Sequence, residues 1–203
     1  WLTDAWARAG RPGTAADGLG PAYAGLLAFL DRIWEHAATV DPDSTRDLDH
    51  TRHRAVYEAT IALRPEVDPD LADALYATLL AQWTAYDDAR PTLAALQARG
   101  LRTALLSNVG VDVRPLLARQ GLAEHLDAVC QSWQIGVVKP HPDAFRAALG
   151  ALGLPAERVL MVGDNPVDDT GAARLGIRTL LLPRTEGPRH GLGLVLRVVG
   201  PAV

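Results

Sequence analysis

Three short stretches of this chain hold side chains suited to a phosphate group and a hard metal ion. They are Leu105-Leu106-Ser107-Asn108, Val137-Val138-Lys139-Pro140-His141-Pro142 and Met161-Val162-Gly163-Asp164-Asn165-Pro166-Val167-Asp168-Asp169. A small hydroxyl such as Ser107, with the backbone N–H groups around it and Asn108 next to it, can hydrogen-bond a phosphate oxygen without crowding it. Lys139 supplies a positive point charge. At contact distance and an effective dielectric near 20, such a pair is worth about 4 kcal/mol before desolvation. Pro140 biases Lys139 towards an extended backbone, which projects the side chain. Asp164 and Asp169 are five residues apart, one ending a strand and the other in the first turn of the next helix, so both are expected at one spot. Hard carboxylate oxygens with water positions left open suit Mg²⁺.

Taken singly, each stretch has an ordinary explanation. Ser-Asn after a strand is a common turn, Lys-Pro is frequent, and Gly-Asp-Asn-Pro turns the chain while Asp169 favours a helix N-terminus. The signal lies in their joint arrangement. All three fall in order at strand ends of one sheet, and ligands of open α/β sheets bind beyond the carboxyl ends of the strands.

The elements that must position these residues change character near residues 81–91. Before that point the sequence reads as helices only. They are Trp1–Ala9, stopped by Gly10 and Pro12; Pro21–Ala38, with Leu26, Leu27, Leu30, Ile33, Trp34 and Ala37 at helical spacing; and Ser44–Leu63, stopped by Pro65. A last helix is capped by Asp68, with Pro69 at its first position. From Pro91 onward helices and strands alternate: helix Pro91–Arg99, strand Leu101–Ser107, helix Val111–Gln120, strand Leu126–Cys130, helix Pro142–Leu152, strand Arg158–Val162, helix Val167–Leu175 and strand Ile177–Leu182. Continuous apolar strands between helices imply a parallel sheet covered on both faces. Leu192–Val199 reads equally as helix or strand.

The ordered set Ser107, Lys139, Asp164, Asp169 resembles the haloacid dehalogenase (HAD) superfamily over about residues 85–183, most specifically in GDNPVDDTGAARLG. The resemblance implies an α/β, Rossmann-like core over residues 84–203 and an all-α helical cap over residues 1–83. It implies that Ser107 and Asn108 bind phosphate, that Lys139 offsets charge on nucleophile and phosphate, and that Asp164 and Asp169 hold Mg²⁺. The implied substrate is a small phosphorylated metabolite, cleaved through an aspartyl-phosphate. A 2-haloacid dehalogenase of the same superfamily typically carries Ser-Ser-Asn-x-x-Asp where this chain has the acidic Gly-Asp-x-x-x-x-Asp.

The first motif of that family, Asp-x-Asp-x-Thr/Val after an apolar strand, supplies nucleophile and general acid/base. The one matching string, Asp41-Pro42-Asp43-Ser44-Thr45, follows helix rather than strand and reads as a turn. The chain starts at Trp1, so the expectation is that roughly 10–25 residues, one central strand and its connection, are missing. A gap or a forced pairing between the Leu101–Ser107 and Arg158–Val162 strands should follow, with no turnover by the chain as given. A binding protein that naturally lacks the nucleophile is the reading from another class, and the upstream coding sequence separates the two.

Composition narrows the remaining classes. Of 203 residues 48% are hydrophobic and 22% charged, the mixture of a soluble globular protein. A formal net charge of −4 gives no reason to expect nucleic acid or an acidic membrane as partner. No apolar run approaches the roughly 20 residues that span a bilayer, and there is no signal-peptide pattern. The sole cysteine, Cys130, fits a reducing, cytoplasmic compartment and a buried structural role. His50 and His53, near Asp47 and Asp49, read as a solvated helix face. Trp34, Trp83 and Trp133 read as packing residues, with Trp133 placed between a strand end and Lys139.

Overall fold

The computed structural model describes residues 1–200. The chain divides into two compact units, Trp1–Trp83 and Thr84–Val203.

The first unit is helical throughout. Its α-helices are α1 (Leu2–Arg8), α2 (Ala15–Leu19), α3 (Ala22–Asp31), α4 (Ile33–Ala37), α5 (His50–Ile61) and α6 (Pro69–Thr78). Three begin at side-chain caps: Thr14, Asp49 and Asp68 accept from the backbone N–H of Asp17, Arg52 and Leu71. Each such cap stabilises its helix by about 1 kcal/mol. The expected long helix over Pro21–Ala38 is broken at Arg32, whose φ of −119° and ψ of 24° leave the helical region. The helix expected from Ser44 starts six residues later. Ser44 is left-handed (φ 53°), a short 3-10 turn follows, and Asp49 caps the true start. The apolar faces meet in one core of Leu2, Trp6, Leu26, Phe29, Leu30, Ile33, Tyr57, Ile61, Leu71 and Leu75. Burying each such aliphatic or aromatic side chain is worth roughly 1.5–3 kcal/mol.

The second unit alternates helix and strand. It comprises α7 (Ala89–Ala98), β1 (Ala104–Ser107), α8 (Arg114–Arg119), β2 (Ala128–Gln131), α9 (Ser132–Ile135), α10 (Pro142–Leu152), β3 (Leu160–Gly163), a 3-10 helix at Asp169–Leu175, β4 (Arg178–Leu181) and α11 (Val195–Val198). The ambiguous segment near residue 195 is therefore helical. Helix α10 starts on Pro142 and ends at Gly153, whose φ of 62° needs no Cβ penalty.

The strands form two parallel pairs, β1 with β2 and β3 with β4, rather than one continuous sheet. Ser107 lies opposite Gln131, and Gly163 opposite Leu181. Among the described residues β1 and β3 are not hydrogen-bonded to each other, so each keeps one open edge. One helix nevertheless bridges them. Phe145 of α10 forms a buried cluster with Ala172 and Ile177, and Leu106 of β1 and Met161 of β3 pack against that cluster. The residues of β1 and β3 are half-buried instead of buried, because parallel strands reach full burial only between neighbours and covering helices. No helix among the described residues is long and apolar enough to cross a membrane.

Candidate active site

The site builds outward from the end of β3. Gly163 closes the strand, and the next residues form a tight turn in which Asn165 Oδ1 accepts the N–H of Val167 at 2.9 Å and of Asp168 at 3.2 Å. The chain then enters the 3-10 helix and returns Asp169 to the strand end, where its Oδ2 accepts the Asn165 N–H at 3.0 Å. Only glycine at 163 permits this return, since a Cβ there would lie 1.9 Å from Asp169 Oδ2. Asp169 is buried, with 1% of its side chain exposed. Its Oδ1 takes a hydrogen bond from Lys139 Nζ at 2.6 Å, and the lysine side chain is 11% exposed. Burying both charges carries a desolvation penalty, offset here by the short contact and by the extra bond from Asn165.

Lys139 is fixed from a second direction. Its backbone N–H donates to Asn108 Oδ1 at 2.7 Å, and its carbonyl accepts from Asn108 Nδ2 at 3.0 Å. The side chain of Asn108 thus serves to hold Lys139, and what it can offer phosphate is its backbone N–H. The Lys139–Pro140 peptide is cis. The 3-10 helix lies directly against it, because a Cβ on Gly171 would come within 2.8 Å of Pro140. Ser107 ends β1 one residue before Asn108, and its hydroxyl has no hydrogen-bond partner among the described residues, which leaves it available to a ligand. The loop that follows is held by β2. Ser132 Oγ accepts the Val109 N–H at 2.8 Å, and Gln131 Oε1 accepts that of Val113 at 2.7 Å. Asp112 in the same loop is drawn down to about 2, chiefly by its bonds from the Arg114 guanidinium.

Asp164 behaves differently from Asp169. Its side chain is 35% exposed and its Oδ2 accepts from Arg184 Nε at 2.7 Å. The two carboxylates expected at one spot are thus served by different cations, Asp169 by Lys139 and Asp164 by Arg184. Among the described residues there is no cluster of three or more metal-ligating side chains. The donor chemistry still suits Mg²⁺, which takes one or two carboxylates and fills the rest of its octahedron with water and substrate oxygens. Asp164 Oδ1 has no partner among the described residues, and Asp169 is held rigidly one turn away.

Arg184 was not anticipated. It follows β4 by three residues, and reading the fourth strand end (Leu181-Leu182-Pro183-Arg184) as the other three were read would have found it. Three other sequence candidates resolve as structure. Asp41 is buried and accepts from the N–H and hydroxyl of Thr45 and from the N–H and guanidinium of Arg46, so its turn uses the carboxylate fully. Cys130 is buried, and burial pushes its thiol up. The solvated-face reading of His50 and His53 fails for His53, which is 2% exposed and bonded through Nδ1 to the Tyr76 hydroxyl at 2.9 Å.

Residues 2–176 match the family model described as haloacid dehalogenase-like hydrolase. The phosphoserine phosphatase of Thermus thermophilus is 40% identical over 126 residues, 61% of this chain and 50% of that protein. The phosphoglycolate phosphatase of Yersinia pseudotuberculosis is 35% identical over 124 residues, 60% of this chain and 53% of that protein. Among solved structures, L-2-haloacid dehalogenase from Xanthobacter autotrophicus superposes with a TM-score of 0.66 and 29% identity, covering 92% of this chain and 78% of that one. The chain spans about half the length of these curated relatives. The family model covers most of the chain, and this chain belongs to the haloacid dehalogenase-like hydrolases.

Proposed function

We propose that the intact protein is a Mg²⁺-dependent phosphatase acting on a small phosphomonoester. The observation that carries this is the buried contact between Lys139 Nζ and Asp169 Oδ1 at 2.6 Å. It joins Lys139, on the loop after β2 and α9, to the carboxylate returned to the end of β3, while Asn108, the residue after Ser107, clamps the Lys139 backbone. The similarity to phosphatases named for phosphoserine and phosphoglycolate supports the same reading, and both those esters carry a carboxylate besides the phosphate.

In this proposal a further parallel strand lies between the open edges of β1 and β3 and ends in the nucleophilic Asp. That carboxylate attacks phosphorus, the ester P–O bond breaks and the alcohol leaves. Water then cleaves the acyl phosphate to release inorganic phosphate. Ser107 Oγ donates to one phosphoryl oxygen, and Lys139 lowers the charge repulsion between nucleophile and phosphate. Mg²⁺, held by Asp164 and Asp169, would offset the charge of the phosphoryl oxygens. Phosphate release from small phosphomonoesters tests the reading, with Asp164→Asn as the control. Undiminished activity in that variant would reject the metal role. Chloride release from a 2-haloacid without Mg²⁺ would move the assignment to dehalogenation.

A further inference from the structure

Arg184 sits where the fold, rather than chance contact, places it. The β3–β4 ladder runs one rung past its last paired residues, since the Leu182 N–H donates to the Gly163 carbonyl at 2.9 Å. The two chains therefore leave the sheet side by side, and Arg184 emerges next to Asp164. Beyond it the backbone is pinned. The Tyr86 hydroxyl donates to the Thr185 carbonyl at 3.3 Å, and the Asp87 N–H to the Pro188 carbonyl at 2.7 Å. The Asp88 carboxylate collects the N–H groups of His190, Gly191 and Leu192 at 2.8–3.0 Å.

The side chain is the opposite of pinned. It is 84% exposed and its Nε alone is engaged, with Asp164 Oδ2. Neither Nη group has a partner among the described residues. A single-point pair this exposed contributes only about 0–1 kcal/mol, so a ligand releases the guanidinium at little expense. The carboxylate it rests on is also the one assigned to Mg²⁺, and a divalent ion there competes for the same oxygens. Lys139 cannot take a second role, because it is buried against Asp169. Arg184 is thus a cation with free donors at the carboxyl ends of the strands, where the substrate must lie. Its planar fork matches a carboxylate or phosphate through two parallel hydrogen bonds.

We propose that Arg184 recognises a second anionic group, carboxylate or phosphate, carried by the substrate beside the phosphoryl group that is cleaved. The proposal rests on the phosphatase reading above. The experiment is a ³¹P NMR titration in Mg²⁺ with three probes: ethyl phosphate, 2-phosphoglycolate and ethane-1,2-diyl bisphosphate. The wild type is expected to bind one or both doubly charged probes about tenfold tighter than ethyl phosphate, as charge-assisted hydrogen bonds of this type provide. Which probe gains identifies the second anion. Arg184→Ala should shrink the preference to less than about twofold, and Arg184→Lys should keep part of it. A wild type without preference, or an Arg184→Ala variant that weakens all three probes by one factor, overturns the proposal. Ethyl phosphate binding that ignores Lys139→Ala would instead sink the phosphatase reading, and this proposal with it.

Discussion

Lys139 and Asp169 meet at 2.6 Å with both side chains nearly out of water, although 30 positions separate them in sequence. Neither charge is tolerable there without the other. Lys139→Met should therefore destabilise the protein by roughly 3–5 kcal/mol, the usual result of leaving one buried charge uncompensated. Adding Asp169→Leu should recover most of that loss. Urea unfolding of both variants checks this, and a double variant less stable than the single one would contradict the pairing.

Gly163 and Gly150 make a controlled comparison. A methyl group at 163 collides with the Asp169 carboxylate, whereas one at 150, on α10, meets nothing within 4 Å. Gly163→Ala should cost about 1–3 kcal/mol through overpacking and weaken Mg²⁺ binding as Asp169 is displaced. Gly150→Ala should be neutral or stabilise by about 0.5–1 kcal/mol, since glycine is a poor helix former. Thermal unfolding and Mg²⁺ calorimetry distinguish them, and equal effects at both positions would argue against the packing account.

Asn108 makes both bonds of the Lys139 backbone clamp. Asn108→Ala leaves a part-buried N–H and C=O without partners, a loss of about 1–3 kcal/mol. Phosphate affinity should fall with it as Lys139 loosens. Asn108→Asp should fare no better, because a carboxylate oxygen would face the Lys139 carbonyl in place of the donor. A variant with wild-type phosphate affinity would show that the clamp positions nothing.

His53 predicts a pH effect in the helical unit. Burial, helped by the charges of His50 and Arg46, lowers it from 6.5 to about 4. The unfolded chain takes up a proton near pH 6.5, while the folded one stays neutral down to about 4. Stability from this group is therefore complete above pH 6.5 and is lost as pH falls towards 4, at no more than about 1.4 kcal/mol per pH unit. His53→Phe should flatten that slope. Identical slopes for both proteins across this window would refute the assignment.

The legible parts of this molecule are those written in local residues. Asp68-Pro69 started a helix where its capping chemistry required, and Pro142 and Gly153 bounded α10. Ser107 was read as the end of a strand and Asp164 as the residue after one, and β1 and β3 end at Ser107 and Gly163. What escaped depends on distant partners. His53 looked solvated, since Tyr76, which buries and bonds it, is 23 residues away. The break at Arg32 interrupts an unbroken apolar rhythm and left no mark in it. Arg184 follows a strand of ordinary aliphatics, and only the β3–β4 register brings it to Asp164. The split into two strand pairs agrees with the gap expected between the Leu101–Ser107 and Arg158–Val162 strands.

Ser107, Lys139, Asp164 and Asp169 are proposed as the phosphate- and metal-binding half of a phosphatase site. The decisive measurement is steady-state phosphate release from 2-phosphoglycolate by the intact protein, titrated with Mg²⁺. The expected result is Mg²⁺-dependent turnover that Asp164→Asn and Lys139→Ala each reduce at least about a hundredfold, the scale on which removing one charge-stabilising group acts. Turnover that persists in chelator, or that survives both substitutions, would contradict it.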